Sequence, residues 1–256
     1  MKAHLRIILI TFFILPKLLF GQHEGIGVND TLSVADHAQI HQYKAKKLII
    51  PGVLICYGVL SLTYAPLKEL NSSTRYEINE HTPENFALDN FTQYVPAAAV
   101  YGLNALGIKG EHNLADRTII YAMASIISTG IVVPLKRTVK EVRPDYSNDQ
   151  SFPSGHTTTA FASAQFMFRE YQHKNVWLSL SGYPFAIFTG VYRTLNNRHW
   201  VGDVVAGAGF GILSTEAAYW LFPHVKRMLQ RKDINNLQLY PIYQQKTYGL
   251  NLVKTF

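Results

Sequence analysis

Six apolar segments rich in small residues constrain this chain more than any other feature. They lie at 48–65, 92–108, 118–135, 157–168, 176–192 and 200–222. Alanine, glycine, serine and threonine recur in them, and such small side chains let helices approach closely within a membrane. Most segments are at or below the roughly 17–20 residues that a helix needs to cross a bilayer. We therefore predict an all-α six-helix bundle that is membrane-embedded or membrane-associated.

The composition supports association with a membrane. Of the 256 residues, 48% are hydrophobic and only 16% are charged, against about 25% charged in soluble globular proteins. The single cysteine, Cys56, excludes an intrachain disulfide and a cysteine-rich zinc site. The formal net charge of +7 is compatible with nucleic acid, anionic lipid or an anionic substrate, so the positions of the cations must decide.

The two ends of the chain are expected to lie outside the bundle. Lys2 and Arg6 precede an apolar run, as in a secretory signal peptide; an uncleaved N-terminal anchor is the alternative. Two alternating runs near the C-terminus, 237–243 and 248–256, could pair as a short β-hairpin. The predicted parts are a signal peptide or anchor (1–22), a polar linker (23–47), the helical bundle (48–225) and a basic tail (226–256).

Three polar clusters fall at the ends of the predicted helices. In the first, Lys136, Lys140 and Arg143 stand at i, i+4 and i+7, so a helix ended by Pro144 would place three cations on one face. The alternative is a set of cations that complements a helix C-terminus.

The second cluster is the tetrapeptide Pro153-Ser154-Gly155-His156. Ser154 can cap a helix, Gly155 lets the backbone approach a ligand, and the free N–H groups of a first helical turn attract anions. His156 lies where it could deliver a proton to such a site. By itself the tetrapeptide is also compatible with an ordinary helix start.

The third cluster is Arg193, His199 and Asp203. If a helix begins near 199, His199 and Asp203 lie one turn apart, and the carboxylate can accept a hydrogen bond from one imidazole nitrogen. The other nitrogen is then free to act as a nucleophile. A polar helix start held by a salt bridge is the alternative.

Considered together, the clusters indicate phosphoryl transfer. In a helical bundle the first ends the third helix, the second begins the fourth, and the third joins the last two, so all three meet at one end. Three cations suit the equatorial oxygens of a phosphoryl group, and one imidazole on each side suits attack and departure.

This pattern resembles the three-part signature of the type 2 phosphatidic acid phosphatase (PAP2) and haloperoxidase superfamily. The residues that carry the resemblance are Lys136-x6-Arg143-Pro144, Pro153-Ser154-Gly155-His156 and Arg193-x5-His199-x3-Asp203. The resemblance covers residues 48–222 and implies a bacterial membrane-associated lipid phosphatase with a six-helix bundle. It implies hydrolysis of a phosphomonoester or pyrophosphate, with no cofactor and no metal.

The resemblance also implies roles for the binding residues. Lys136, Arg143 and Arg193 would clamp the phosphate, and Ser154 and Gly155 would help to hold its oxygens. The chain departs from the family pattern where Tyr192, instead of serine, precedes the arginine of the third motif. The short stretch 145–152 between the first two motifs leaves little room for a lid over the substrate.

For the chemistry itself, the resemblance implies that His199 forms a phosphohistidine, Asp203 orients it, and His156 protonates the leaving oxygen. The expected partners are the membrane and a membrane lipid phosphate, with no nucleic acid. Undecaprenyl pyrophosphate, phosphatidate, phosphatidylglycerophosphate and a lipid A phosphate are the candidates. The alternatives are a broad-specificity periplasmic acid phosphatase for small phosphomonoesters and a non-catalytic lipid-binding scaffold.

Charge placement favours a site that faces the periplasm. With six full crossings, the basic stretches 44–47 and 226–232 share one side, which positive-inside logic makes cytoplasmic. A cleaved signal would instead put residues 23–47 outside, so the number of crossings stays open. We expect a bacterial membrane, the inner one, with the site on its periplasmic face.

Overall fold

The computed structural model describes residues 45–80, 87–231, 237–244 and 247–254. A 3₁₀ turn, Ala45–Leu48, precedes nine α-helices in this part of the chain. They are α1 (Ile49–Ser61), α2 (Ala65–Glu80), α3 (Asp89–Thr92), α4 (Val95–Ala105), α5 (Leu114–Val139), α6 (Gly155–Tyr171), α7 (Val176–Leu180), α8 (Tyr183–Leu195) and α9 (Val201–Arg231). The predicted signal peptide or anchor, and the linker up to residue 44, lie outside the described residues.

The bundle is all-α as predicted, but the expected count of six helices is not confirmed. The apolar segment 176–192 is divided into α7 and α8, because the chain turns at Ser181 and Gly182 and restarts with Pro184 in the first turn of α8. Proline suits that place because the N–H it lacks would have no helical acceptor there. The stretch 66–91 holds most of α2 and the start of α3, so polar sequence contributes helices as well.

The chain divides into two compact units, one ending at Ala218 and the other beginning at Tyr219. The second unit contains two strands, β1 (Leu237–Gln244) and β2 (Thr247–Lys254). The strands pair antiparallel, with Leu237 opposite Lys254 and Gln244 opposite Thr247.

Two helices within the described ranges are long and apolar enough to cross a membrane. They are α5 and the part of α9 from Val201 to Leu229. Helices α1 and α2 pass the same test as one pair, bent by 84° at the break between them, so the number of such spans is two or three by length and composition.

Helix α6 is buried along most of its length, and glycines let neighbouring helices approach closely. A Cβ at Gly207 of α9 would lie 2.7 Å from the carbonyl oxygen of Ser154, at the start of α6. A Cβ at Gly58 of α1 would lie 2.6 Å from the carbonyl oxygen of Gly202. Since real Cβ atoms do not tolerate such distances, these two glycines fix how closely α1 and the N-terminal part of α6 pack on α9.

Candidate active site

Helix α5 ends before the first motif is complete. Its last residue is Val139, and Lys140 adopts the left-handed conformation at φ 52° and ψ 43°, a common way for a helix to stop. The prediction that Lys136, Lys140 and Arg143 share one helical face is therefore wrong. Arg143 lies instead in the following loop, which returns it to the same site as Lys136.

Lys136 holds that loop in place. Its Nζ donates to the carbonyl oxygens of Gln150 at 2.7 Å and Ser151 at 3.3 Å. A Cβ on Gly155 would lie 3.9 Å from Cε of Lys136, so the lysine stem runs beside the first turn of α6. The first motif thus touches the second.

Ser154 caps α6, as the sequence predicts. Its hydroxyl is fully buried, lies 2.8 Å from Oγ1 of Thr157 and accepts from the Thr157 N–H at 3.4 Å. The Ser154 N–H donates to the carbonyl oxygen of Asp203 at 3.0 Å, which joins the second motif to the third. The amides of Gly155 and His156 open the helix and have no acceptor within it, so they are available to an anion.

Arg193 is held by a carboxylate outside the three motifs. It lies in the last turn of α8 and is 9% exposed. Its Nη1 donates to Oδ2 of Asp89 at 2.5 Å, and Asp89, the first residue of α3, is 2% exposed. The guanidinium orientation therefore depends on a residue 104 positions earlier in the chain.

His199 and Asp203 lie together, but not in the predicted direct hydrogen bond. Nδ1 of His199 is 3.7 Å from Oδ2 of Asp203. The hydroxyl of Ser151 lies between them, donating to that Oδ2 at 2.5 Å and standing 3.4 Å from Nδ1. Oδ2 also accepts from the Trp200 N–H at 2.9 Å, which fixes the carboxylate at the start of α9.

The surroundings of His199 suit a nucleophile. The side chain is 2% exposed. Burial, followed by the charges of Lys136, Arg193 and Arg143, holds the pKa of His199 well below its usual 6.5. The ring is therefore neutral near pH 7 and keeps a nitrogen lone pair for attack on phosphorus.

His156 is the second residue of α6, in its first turn. Its Nε2 is 2.7 Å from Oδ1 of Asn90 in α3. Burial lowers the pKa of His156 first, the charge of Arg193 lowers it further, and the carboxylate of Asp89 opposes the shift. A bound phosphoryl group, with its negative charge, would also oppose the shift and favour the protonated ring.

A cavity of about 230 Å³ opens beside these groups. Three arginines supply its positive charge, and asparagine side chains and one carboxylate complete much of its wall. Its lining consists of Ala87, Asp89, Asn90, Arg143, Arg193, Asn196 and Arg198. The cavity can hold a phosphoryl group against Arg143, Arg193 and Arg198, and Asn90 of its wall is the residue that contacts His156.

The structure thus gathers all eight predicted site residues, and it adds three that sequence reasoning missed. Asp89 and Asn90 fall outside every motif, and no local pattern signals them because their partners are far along the chain. Ser151 had a weak signal, since it is a polar residue just before the second motif.

The family indicated by the motifs is confirmed by comparison with known proteins. Residues 117–227 match the PAP2 superfamily, and the match includes all three motifs. This part of the chain belongs to the PAP2 superfamily.

Among individual relatives, the chain is 31% identical over 226 residues to a lipid A 1-phosphatase of Porphyromonas gingivalis, covering 84% of this chain and 49% of that one. The chain spans about half the length of the curated relatives it matches. The solved structure of Aquifex aeolicus LpxE is 23% identical at a TM-score of 0.44, covering 59% of this chain and 94% of that one. A transmembrane PAP2-type phosphatidylglycerolphosphate phosphatase from Bacillus subtilis is 18% identical at a TM-score of 0.45, covering 72% and 98%.

Proposed function

We propose that this protein is a metal-independent phosphatase that removes a phosphomonoester or pyrophosphate group from a membrane lipid through a phosphohistidine. One observation carries the proposal. A buried, neutral His199 lies among Lys136, Arg143 and Arg193 and beside the Ser151–Asp203 pair. A nucleophile surrounded by cations suits attack on an anionic phosphorus centre.

The first step forms a bond from His199 to phosphorus while the bond from phosphorus to the leaving oxygen breaks. Protonated His156 gives its proton to that oxygen. Lys136, Arg143 and Arg193 neutralise the charge on the equatorial oxygens, which is where a phosphoryl transition state spreads it.

The second step reverses these roles. Neutral His156 takes a proton from a water molecule, the water oxygen bonds to phosphorus, and the bond to His199 breaks. Ser154 positions the first turn of α6, whose amides at Gly155 and His156 hold the phosphoryl oxygens. Asp203 orients the nucleophile, with Ser151 as the intermediate group.

Exposed apolar side chains beside the cavity favour a lipid over a small soluble ester. Leu88 and Phe91, on either side of Asp89 and Asn90, are 50% and 75% exposed. Apolar surface at this place suits contact with acyl chains or with the membrane itself. The name of the P. gingivalis relative makes a lipid A 1-phosphate the first substrate to test.

For location, we propose the bacterial inner membrane with the site on its periplasmic face. The basic stretches 44–47 and 226–232 support this orientation. We also propose that the chain is divided into an N-terminal signal peptide or anchor (1–22), a polar linker (23–47), the helical bundle (48–225) and a basic tail (226–256).

Phosphate release by the purified full chain in detergent with EDTA tests the function. The substrates are lipid A, undecaprenyl pyrophosphate, phosphatidate, phosphatidylglycerophosphate and two soluble esters, one aryl and one alkyl. We expect turnover of at least one lipid and an acid-labile phosphoenzyme. Turnover of soluble esters alone would support the broad acid phosphatase instead, and no turnover would contradict both.

Two variants separate the histidine roles. His199→Ala should lose activity on every substrate and form no phosphoenzyme. His156→Ala should lose more activity on alkyl and lipid phosphates than on an aryl phosphate, because a good leaving group needs little protonation. His173→Ala, at an exposed position, is the matched control. Aryl phosphatase activity in His199→Ala, with no phosphoenzyme in His156→Ala, would reverse the assignment.

A further inference from the structure

Helix α3 contacts two of the three motifs although it belongs to none of them. Asn90 reaches His156 of the second motif, and Asp89 reaches Arg193 of the third. The helix is fixed by a hydrogen bond of 2.8 Å between the hydroxyls of Thr92 and the buried Thr189. Asn90 is therefore presented to the histidine from a firmly held turn.

We propose that Asn90 is a positioning residue for His156, accepting a hydrogen bond from Nε2–H so that Nδ1 is the atom that exchanges protons with the substrate and with water. This inference rests on the proposed function, in which His156 acts first as acid and then as base.

The chemistry of the ring explains why one acceptor serves both steps. In the protonated ring both nitrogens are donors, so the bond from Nε2 to Asn90 leaves the Nδ1 proton for the leaving oxygen. In the neutral ring the same acceptor selects the tautomer with hydrogen on Nε2. The lone pair is then on Nδ1, ready to take a proton from water in the second step.

The charges around His156 explain why a neutral acceptor suits this place. Arg193, Arg143 and Lys136 disfavour the protonated ring, and Asp89 favours it. Asn90 supports the proton on Nε2 without a further negative charge. A carboxylate at 2.7 Å would hold the proton more firmly and make the ring a weaker acid.

Two substitutions of Asn90 test the proposal on matched aryl and alkyl phosphates. Asn90→Leu removes the acceptor and should lower kcat on the alkyl phosphate by on the order of 10- to 100-fold, which is only a part of the roughly 10²–10⁴-fold that a general acid supplies. The loss on the aryl phosphate should be much smaller. In a His156→Ala background, Asn90→Leu should cause almost no further loss, because the two residues act as one unit.

Asn90→Asp adds a negative charge beside the ring and should raise the pKa of His156. The first step needs the protonated ring, so the alkaline limb of the kcat profile should move to higher pH. Asn196→Asp is the matched control. It places a carboxylate on the same cavity wall, and within the described part of the chain Asn196 makes no hydrogen bond with the His156 ring, so the shift of the alkaline limb should be smaller.

Equal losses on both phosphates in Asn90→Leu, or additive losses in the His156→Ala background, would overturn the proposal. Wild-type protein that releases no phosphate would contradict the proposed function instead. In that case the ¹⁵N shifts of His156 still test the hydrogen bond. We expect the Nε2–H tautomer in wild-type protein and a mixture in Asn90→Leu; the same tautomer in both would overturn the role of Asn90.

Discussion

Replacing Asp89 by alanine should destabilise the protein far more than replacing Asp145, although both carboxylates pair with an arginine of the same cavity. The Asp89–Arg193 pair is buried, with 3% and 11% of the two side chains exposed and a distance of 2.5 Å. The Asp145–Arg198 pair is longer, at 3.0 Å, and 23% and 46% exposed. Burial therefore separates two otherwise similar pairs.

The magnitudes follow from that difference. Removing one partner of a buried pair costs about 3–5 kcal/mol, because the remaining charge is left without compensation. Among the described residues, Nε of Arg193 already has no hydrogen-bond partner, so the loss of Asp89 would leave the guanidinium still less satisfied. An exposed pair contributes about 0–1 kcal/mol. Asp89→Ala should thus lose several times more free energy of unfolding than Asp145→Ala.

Thermal unfolding of the purified protein in one detergent measures this contrast. At roughly 2–4 °C per kcal/mol for a chain of this size, Asp89→Ala should lower Tm by about 6–20 °C and Asp145→Ala by less than about 4 °C. Asp89→Asn keeps an acceptor oxygen, so its decrease in Tm should lie between those of the two alanine variants. It can be measured even if Asp89→Ala does not fold. Equal Tm shifts for the two alanine variants would refute the reasoning from burial.

Four further outcomes are expected. Ser151→Ala removes the hydrogen bond to Asp203 and should lower kcat about 10-fold or more with little change in KM, since charge-assisted hydrogen bonds contribute about 1.5–3 kcal/mol. An unchanged kcat in steady-state assays would show that Ser151 does not connect Asp203 to His199. Gly190→Ala should lower Tm, because its Cβ would lie 2.9 Å from Cγ1 of Val204. Gly130→Ala, whose Cβ would have no atom of the described residues within 4 Å beyond its own helix, should raise Tm through a gain of about 1 kcal/mol in helix propensity. Vanadate should inhibit competitively well below the phosphate concentration that has the same effect, since it imitates the transition state, and equal potency would count against in-line attack. Activity should persist in EDTA because lysine and arginine side chains supply the positive charge; loss restored by Mg²⁺ or Zn²⁺ would contradict this.

Local chemistry made part of this molecule predictable from its sequence. Ser154 was identified as a helix cap because capping depends on one side chain and the amides just after it. His199 and Asp203 were predicted to lie together at one helix start, because residues four apart in sequence are neighbours at that point. The gathering of the motifs at one end of the bundle followed from the order of the helices.

The remaining features depend on tertiary packing, which the local sequence pattern does not determine. The spacing of Lys140 from Lys136 is compatible with a helix, yet Lys140 adopts the left-handed backbone conformation and ends α5. The loop that follows brings Arg143 back to the site. Asp89 and Asn90 act on residues 104 and 66 positions away. Such partners are decided by how helices pack, and periodicity along the chain carries no information about them.

The two carbonyl contacts of Lys136 have a consequence for substitutions at that position. An ammonium group has three N–H donors, and the oxygens of Gln150 and Ser151 take two of them. One donor remains for a phosphoryl oxygen, so most of the hydrogen bonding of this group maintains the loop that carries Ser151. Lys136→Arg keeps the charge but presents it as a flat fork, and we expect that exchange to displace Ser151 from Asp203. A positive charge at position 136 is therefore not sufficient to keep Ser151 in place beside Asp203.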